Sequence, residues 1–447
     1  MPKRVVVLGG GSTGEAFAAA LRSHDDTIEI TIVEREFLGG ECTFWACMPS
    51  KTLLRALEVV ASARRAPGAA EAVTGDPDRE RIFWWRDQVI DNFHDEDHVT
   101  FLADRGIDVI RGSGRVVAPG RLEVEGDELP FDALVVATGS SAAVPPVEGL
   151  DGTPYWTNRE ATTGHEVPAS LLVLGGGPVG CELAQFYARV GSRVSVLDVA
   201  DRLLPHDDEE ASQLLAAAFA EEGIELRLGV TIERAEPGVR LRLACGEAVE
   251  GERLLVAAGR RANGEGLGLE QLGVRIEEGA VHVDERLRAA DGVWAIGDVT
   301  GVAMFTHVGK YQGRVAAADV AGRAVRADYR AIPAVTFTDP QIATVGKVAG
   351  EGLAEGRWRL PARLSTYERP RREGFLKLYA DPRTRTVVGA VAVGPESGEW
   401  LQQLTLAIRA EVPIDVLRDT IQPYPTFSEA VYFAARNVNI DGGREDE

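Results

Sequence analysis

The chain has 447 residues, 45% hydrophobic and 26% charged, which is enough for two or three folded domains. A formal net charge of −21 argues against nucleic acid or an anionic membrane as a partner, because both favour a basic face. Four cysteines are too few for the disulfide framework of an exported scaffold. No apolar leader precedes the first strand and no stretch approaches about 18 apolar residues, so we expect a cytoplasmic protein.

The first motif is a glycine-rich turn between a strand and a helix. An apolar strand at residues 5–8 enters Gly9-Gly10-Gly11-Ser12-Thr13-Gly14, an Ala-rich helix follows, and a second strand at residues 28–33 ends in Glu34. In this arrangement the first glycine turns the chain, the second admits a pyrophosphate, and the third lets the helix pack on the strand. The acid at the strand end can accept a hydrogen bond from a ribose hydroxyl. These residues predict a dinucleotide site: Gly9, Gly11, Ser12, Thr13, Gly14 and Glu34.

The same order recurs later in the chain. A strand at residues 171–174 leads into Gly175-Gly176-Gly177-Pro178-Val179-Gly180, a helix over 181–187 follows, and a strand at 193–197 ends in Asp198. Two such units predict two bound nucleotides, most simply a flavin dinucleotide and a nicotinamide nucleotide. Asp198 favours NADH over NADPH because it repels a 2′-phosphate, although Arg202 is near enough in sequence to reach one. The predicted residues of this second site are Gly175, Gly177, Pro178, Val179, Gly180 and Asp198.

Two cysteines five positions apart, Cys42 and Cys47, directly follow the first unit. In a reducing compartment such a pair is catalytic, redox-sensing or metal-binding, and scattered histidines make zinc a poor fit. A redox disulfide beside a cofactor is the leading interpretation. This spacing suits a disulfide only at a helix start, which would also lower a thiolate pKa. The other two, Cys181 and Cys245, are expected to be small core residues.

Taken in order, the motifs resemble the flavin-dependent pyridine nucleotide–disulfide oxidoreductases, the family of dihydrolipoamide dehydrogenase, glutathione reductase and mercuric reductase. The shared features are the two glycine units, the cysteine motif ending in Pro49-Ser50-Lys51, the Ala137-Thr138-Gly139 turn, the stretch from Ala257 to Asn263, and Gly297-Asp298. The resemblance implies FAD on the first unit, NAD(P)H on the second, and a homodimer that completes each active site across its interface. Further cofactor contacts are expected at Gly40, Thr138, Gly139, Gly259, Gly297 and Asp298.

The implied fold class is α/β, with two Rossmann-like dinucleotide-binding domains and a C-terminal α+β dimerisation domain. The predicted boundaries are 1–148 and 265–328 for the FAD-binding domain, 149–264 for the NAD(P)-binding domain and 329–447 for the dimerisation domain. From about Pro333 the sequence lacks a nucleotide motif and has strands rich in β-branched residues followed by helices, which is typical of an interface domain.

By resemblance, Cys47 is the flavin-proximal thiol, Cys42 is the interchange thiol that meets the substrate, and Lys51 with Glu182 forms an ion pair near the flavin ring. The family's dithiol reductases take a histidine from the partner subunit. In this chain Tyr424 stands at that position, while the glutamate that follows, Glu429, is kept.

The tyrosine changes the expected acceptor. A phenol with a pKa near ~10 is a poorer proton acceptor at neutral pH than an imidazole near ~6.5. We therefore expect weak turnover of lipoamide or glutathione disulfide. A tyrosine there resembles the mercuric reductases, but those hand over the metal with a C-terminal cysteine pair. No cysteine follows Cys245, so mercury-specific delivery is not expected.

Three hypotheses follow. The first is an enzyme that passes electrons from NAD(P)H through FAD and the cysteine disulfide to an acceptor other than a standard small disulfide. The second is a metal-ion or quinone reductase, or an enzyme like dihydrolipoamide dehydrogenase. The third is a redox-sensing flavoprotein. No resident metal site is predicted, and the small-molecule acceptor is left open. The predicted catalytic residues are Cys42, Cys47, Lys51, Glu182, Tyr424 and Glu429.

Overall fold

The computed structural model describes residues 3–360 and 374–440, and its first sheet carries the first glycine turn. This sheet has six strands, and the strand Arg4–Leu8 pairs in parallel with a neighbour on each side. Its residues from Val5 onward are buried apolar side chains, as expected for a central parallel strand. Across the sheet the strands are Arg288–Ala290, Val293–Ala295, Ala133–Val136, Arg4–Leu8, Glu29–Glu34 and Asp108–Arg111.

Two long helices cover one face of this sheet and place the first glycine turn. The helix Ser12–His24 begins directly after the turn, and the helix Thr306–Val320 packs against it. Gly313 permits the close approach, because a Cβ there would lie 3.2 Å from the backbone nitrogen of Phe17. The remaining helices before the second sheet are Gly40–Phe44, Cys47–Arg65, Arg79–Val89 and Glu96–Ala103.

The second glycine turn belongs to a second sheet, of five parallel strands. Its helix, Pro178–Arg189, begins at the proline of the turn, where a missing N–H costs nothing. A two-stranded ribbon of Ser140–Ala142 with Arg260–Ala262 joins the two nucleotide domains. The sheet strands and other helices of this part are Glu225–Arg227, Arg193–Leu197, Ser170–Leu174, Arg253–Val256, Tyr155–Trp156, Asn158–Thr163 and Glu209–Glu221.

The C-terminal part is an antiparallel five-stranded sheet with helices against it, so its topology differs from both nucleotide domains. The fold class predicted from the sequence, two Rossmann-like domains plus an α+β domain, is confirmed. The C-terminal elements are Pro333–Thr336, Gln341–Gly346, Thr386–Gly394, Phe375–Asp381 and Ala354–Arg359 in sheet order, and the helices Ser397–Trp400, Gln402–Arg409, Ile414–Asp419 and Glu429–Arg436.

Smaller elements complete the two nucleotide domains. Three-stranded antiparallel sheets flank each nucleotide domain, and a short hairpin lies near the ribbon. Over residues 3–360 and 374–440, no helix is both long enough and apolar enough to cross a membrane. The smaller strands are Gly114–Ala118, Arg121–Val124, Asp127–Pro130, Ile232–Glu236, Arg240–Leu243, Ala248–Glu250, Ile276–Glu277 and Ala280–Val281; the 3₁₀ turns are Ala70–Ala72, Asp91–Phe93, Leu150–Gly152, Leu269–Leu272 and Gly297–Thr300.

Candidate active site

A cavity of about 850 Å³ opens at the carboxyl ends of the first sheet's parallel strands. This edge of an open α/β sheet is where ligands bind. Residues predicted for the FAD site, the redox pair and the second glycine turn all contribute to its wall. The predicted residues that line it are Gly9, Gly11, Ser12, Thr13, Glu34, Gly40, Cys42, Lys51, Thr138, Gly139, Pro178, Val179, Glu182, Gly297 and Asp298.

The first glycine turn forms a cradle that side chains would fill. Gly9 has φ +108°, and a Cβ there would lie 2.4 Å from the carbonyl oxygen of Ala137. A Cβ at Gly14 would lie 2.1 Å from the carbonyl oxygen of Gly9. At Gly11, which faces the cavity, the nearest atom to an added Cβ would be the Cα of Gly40 at 3.8 Å, so the space beside it is open to a ligand. The turn therefore leaves room for a pyrophosphate beside the helix start.

Two carboxylates along the cavity match the polar parts of a dinucleotide. Glu34 accepts a hydrogen bond from the backbone N–H of Gly10 at 2.6 Å, which fixes it at the strand end. Asp298 accepts a hydrogen bond from the hydroxyl of Ser140 at 2.5 Å and also lines the cavity. The cradle and these acceptors fit FAD: Glu34 would hold the adenosine ribose, the turn the phosphates, and Asp298 the ribityl chain.

Cys42 and Cys47 lie on two consecutive helices that bring the two side chains together. Cys42 is on the helix Gly40–Phe44, and Cys47 is the first residue of the helix Cys47–Arg65. Both are free thiols here and both are partly exposed. Cys42 lines the cavity, while the sulfur of Cys47 lies 3.5 Å from the hydroxyl of Thr306, another lining residue.

The two thiols differ sharply in acidity. A hydrogen bond from Cys42, more than any other interaction, lowers the pKa of the Cys47 thiol to about 6, and the hydroxyl of Thr306 and the charge of Lys51 act in the same direction. The same hydrogen bond, together with burial, raises the pKa of Cys42. These opposite shifts favour a reduced pair in which a Cys47 thiolate accepts a hydrogen bond from the Cys42 thiol.

Lys51 and Glu182 form the ion pair expected from the sequence. The Lys51 Nζ lies 2.7 Å from Glu182 Oε2, and the Glu182 carboxylate is almost fully buried. Glu182 Oε1 also accepts a hydrogen bond from the backbone N–H of Phe337 at 2.9 Å. Lys51 Nζ lies 4.9 Å from the centre of the Phe337 ring. One carboxylate thus joins the redox helix, the second nucleotide domain and the C-terminal domain beside the cavity.

The two charges of the Lys51–Glu182 ion pair have opposite effects on the pKa of Cys47. The positive charge of Lys51 lowers this pKa, and the negative charge of Glu182 raises it. In reduced enzyme, Cys47 should alkylate rapidly above about pH 6 and lose reactivity as the pH falls through that value. We expect Lys51→Met to move the midpoint to higher pH and Glu182→Gln to move it lower. Mass spectrometry after timed iodoacetamide treatment measures this, with exposed Cys245 as the internal reference. Shifts in the same direction in both variants would contradict the electrostatic explanation.

The second glycine turn repeats the geometry of the first. A Cβ at Gly175 would lie 2.3 Å from the carbonyl oxygen of Ala257, and one at Gly180 would lie 1.9 Å from that of Gly175. Gly177 has open space beside it. The Asp198 carboxylate accepts a hydrogen bond from the backbone N–H of Gly176 at 2.5 Å. Gly259, with φ +124°, lies in the loop opposite this turn, between the strands Arg253–Val256 and Arg260–Ala262.

Some predicted residues lie away from the cavity wall. Tyr424 is 74% exposed in the segment before the helix that Glu429 begins, and neither residue lines the cavity. Their expected place in an active site requires a second subunit, so their roles stay predictions. Cys181 is buried as expected, but the prediction for Cys245 was wrong: it is exposed in the turn that follows the strand Arg240–Leu243.

Sequence reasoning missed a group of charged and polar residues along the cavity. Arg159 reaches from the second domain to ion pairs with Glu36 and Glu41, and its guanidinium lies 4.0 Å from the centre of the Trp45 ring. Asn158 donates a hydrogen bond to Glu41 Oε1 at 2.8 Å. Glu41 and Trp45 flank Cys42 in the cysteine motif, but their partners lie far away in sequence, so the motif carried no signal for the contact.

The fold and the site define a flavin-dependent oxidoreductase with a paired thiol, and sequence comparison agrees. Residues 3–322 match the family described as pyridine nucleotide-disulphide oxidoreductase, and residues 332–435 match its dimerisation domain. The chain belongs to this family. It is an FAD-containing, NAD(P)H-linked enzyme, and its dimerisation domain supports a homodimer.

Individual relatives carry different functional names. A mercuric reductase of Staphylococcus aureus is 31% identical over 96% of this chain and 82% of its own length. A dihydrolipoyl dehydrogenase of Thermus scotoductus is 33% identical over 97% of both chains. Among solved structures, LpdA from Mycobacterium tuberculosis has a TM-score of 0.87 and 29% identity, covering 97% of this chain and 99% of its own. The Cu(II) complex of the HOCl-induced flavoprotein disulfide reductase RclA from Escherichia coli has a TM-score of 0.84 and 27% identity, covering 96% and 98%.

Proposed function

We propose that the enzyme takes electrons from NADH and passes them, by way of FAD and the Cys42–Cys47 pair, to an acceptor other than a standard small disulfide. The observation that carries this proposal is the hydrogen-bonded pair of Cys42 and Cys47, with Cys47 at the start of a helix, beside a cavity that fits FAD. We assign FAD to residues 1–148 and 265–328, NADH to 149–264 and dimer formation to 329–447. The paucity of cysteines supports a cytoplasmic location.

FAD, when bound, supplies the two-electron exchange with the nicotinamide. Reducing the Cys42–Cys47 disulfide takes two electrons and one proton, and leaves Cys42 as a thiol and Cys47 as a thiolate. Lys51 stabilises that thiolate, and Thr306 hydrogen-bonds to it. Cys42, on the cavity wall, is the sulfur that meets an acceptor. It must lose its proton to attack, and its raised pKa makes this loss costly.

The missing imidazole supports an unusual acceptor. Tyr424 occupies the position from which the family's dithiol reductases supply a histidine, and its phenol is a poor base at neutral pH. His307 lines the cavity, but its Nε2 hydrogen-bonds to the carbonyl oxygen of Pro333 at 2.8 Å and burial lowers its pKa. An acceptor that binds sulfur without needing a proton relay suits this site better than lipoamide does.

A thiophilic metal ion is the second candidate acceptor. Two adjacent sulfurs, one of them a thiolate, are soft ligands that favour such ions. Relatives named mercuric reductase, and a Cu(II) complex of a similar fold, are in line with this chemistry. A dihydrolipoyl dehydrogenase activity has named relatives too, but the tyrosine argues against it.

The preference for NADH rests on Asp198 and Arg202. Asp198 stands at the strand end where a ribose is expected, and its carboxylate would repel a 2′-phosphate. The Arg202 guanidinium donates hydrogen bonds to the carbonyl oxygens of Leu204, Pro205 and Asp207. These contacts hold the arginine within its own loop, so it is not positioned to offset the repulsion.

An anaerobic titration of the purified yellow holoenzyme tests both parts of this proposal. We expect NADH to produce a long-wavelength absorbance band from the Cys47 thiolate beside the flavin, and NADPH to react at least ~10-fold more slowly. Cys245→Ser should give the same spectra, because that thiol is exposed and does not line the cavity. Bleaching without the band would remove the cysteines from the electron path. Equal rates with both coenzymes would contradict the assignment to NADH.

A further inference from the structure

The loop that carries the two cysteines is bound to the second nucleotide domain at two points. The first point is Glu41, the residue before Cys42. Its carboxylate accepts hydrogen bonds from Asn158 Nδ2 at 2.8 Å and from Arg159 Nε at 3.0 Å and Nη2 at 2.8 Å. Although partial burial opposes it, hydrogen bonds to Glu36 and Glu41 raise the pKa of Arg159, so the guanidinium stays charged.

The second point is Trp45, the residue at which the helix of Cys42 ends. Its carbonyl oxygen accepts hydrogen bonds from Asn158 Nδ2 at 2.8 Å and from the hydroxyl of Thr162 at 3.0 Å. Carbonyls at a helix end lack partners within the helix and take external donors. The Trp45 ring also lies under the guanidinium of Arg159, 4.0 Å from its centre.

The helical conformation is interrupted at Ala46, between Trp45 and Cys47. Ala46 has φ −131° and ψ −96°, outside the helical region, and a new helix begins at Cys47. The distance between the two sulfurs therefore depends on how the break is held. Asn158, Arg159 and Thr162 all belong to one short helix of the second domain, Asn158–Thr163, and they supply the contacts on both sides of Cys42.

We propose that Asn158, Arg159 and Thr162 are positioning residues for the redox pair, acting through Glu41 and Trp45. They hold the cysteine loop in the geometry that lets the two sulfurs bond. Two groups held in bonding geometry have a high effective concentration toward each other, and a loosened loop lowers it. This inference rests on the proposed redox role of the pair.

Equilibration of the holoenzyme with mixtures of reduced and oxidised glutathione tests the inference. Each protein disulfide that forms converts one glutathione disulfide into two glutathione thiols. Trapping the free protein thiols with a thiol reagent, followed by mass spectrometry, measures the fraction of oxidised protein and so gives the equilibrium constant for forming the Cys42–Cys47 disulfide. We expect this constant for disulfide formation to fall by about tenfold in Arg159→Gln and about threefold in Thr162→Val, with partial recovery in Arg159→Lys. Thr162→Val keeps the shape of a buried side chain and removes only the hydroxyl donor.

Arg253→Gln is the matched control. Arg253 is 35% exposed against 36% for Arg159, pairs with Glu166, and lies near a tryptophan ring, but it does not contact the cysteine loop. It should change the constant by less than about twofold. Should Arg159→Gln fail to fold, Thr162→Val and Arg159→Lys decide the question.

The outcomes separate the inference from the function on which it rests. A wild-type enzyme that forms no Cys42–Cys47 disulfide at any glutathione ratio would overturn both. A wild-type disulfide whose equilibrium constant is unchanged in Arg159→Gln and Thr162→Val, even with a lowered Tm, would overturn the inference alone and leave the redox role standing. A drop as large in Arg253→Gln as in Arg159→Gln would mean general destabilisation and would also overturn it.

Discussion

Cys42→Ser is expected to lower NADH-driven reduction of a disulfide or thiol-bound acceptor by at least ~1000-fold, because the sulfur that attacks the acceptor is gone. Reduction of a small quinone, which needs no thiol, should change by less than about threefold. Among the cysteines of the described residues, Cys42 alone lines the cavity, so we expect no other thiol to replace it there. Steady-state rates with each acceptor, measured on enzyme of equal FAD content, give the comparison.

Two comparisons make that result decisive. Cys245→Ser removes an exposed thiol of the same chain and should leave both activities unchanged. Mercuric and cupric salts form a third arm, since reduction of a soft ion that needs both sulfurs should fall with the disulfide activity. Equal loss of quinone and disulfide reduction in Cys42→Ser would mean that the cysteine supports the cofactor site itself, against the proposed division of roles.

Gly14→Ala should yield a protein that purifies without FAD and unfolds at a much lower temperature. The added Cβ would lie 2.1 Å from the carbonyl oxygen of Gly9, and backbone cannot yield as a flexible side chain can. Overpacking of this kind costs about 3 kcal/mol. The turn that cradles the cofactor would also be displaced. The ratio of flavin to protein absorbance and a thermal unfolding curve measure the two effects.

Gly11→Ala separates binding from folding within the same turn. Gly11 has an ordinary φ of −65°, and its nearest neighbour to a new Cβ is at 3.8 Å, so the apoprotein should unfold near the wild-type temperature. Its methyl group would project into the cavity and weaken FAD binding. A Gly11→Ala protein as unstable as Gly14→Ala would show that steric contact within the turn is not what distinguishes the two glycines.

Much of this architecture could be read from sequence because its key positions are local. Each glycine turn combines a buried strand, a helix start and a terminal acid within about 30 residues, as such units require. The helix predicted over 181–187 extends from Pro178 to Arg189 because proline serves as a first helical residue. The helices expected after the β-branched strands of the C-terminal part include two that follow each other closely, Ser397–Trp400 and Gln402–Arg409.

Contacts between segments that are distant along the chain could not be predicted from the sequence motifs. Arg159 meets Glu41 across 118 positions, and nothing in either motif marks the other. Cys245 was misjudged because it follows alternating buried leucines, yet it falls just past the strand end, in the turn. The part expected of Tyr424 concerns a second chain, so neither the motif nor a single subunit tests it. The pairing of Lys51 with Glu182 was accessible only through family resemblance.

The Glu182 carboxylate has a kinetic consequence. It binds Lys51 of the first nucleotide domain and the backbone of Phe337 in the C-terminal domain while lying on the second domain's own helix. A hinge between the nucleotide domains would have to break the ion pair of the buried Glu182 carboxylate with Lys51 at each turnover, which is costly. We therefore expect the coenzyme to diffuse into a cleft that is already assembled. Its association should then be governed by encounter and orientation rather than by the opening and closing of whole domains.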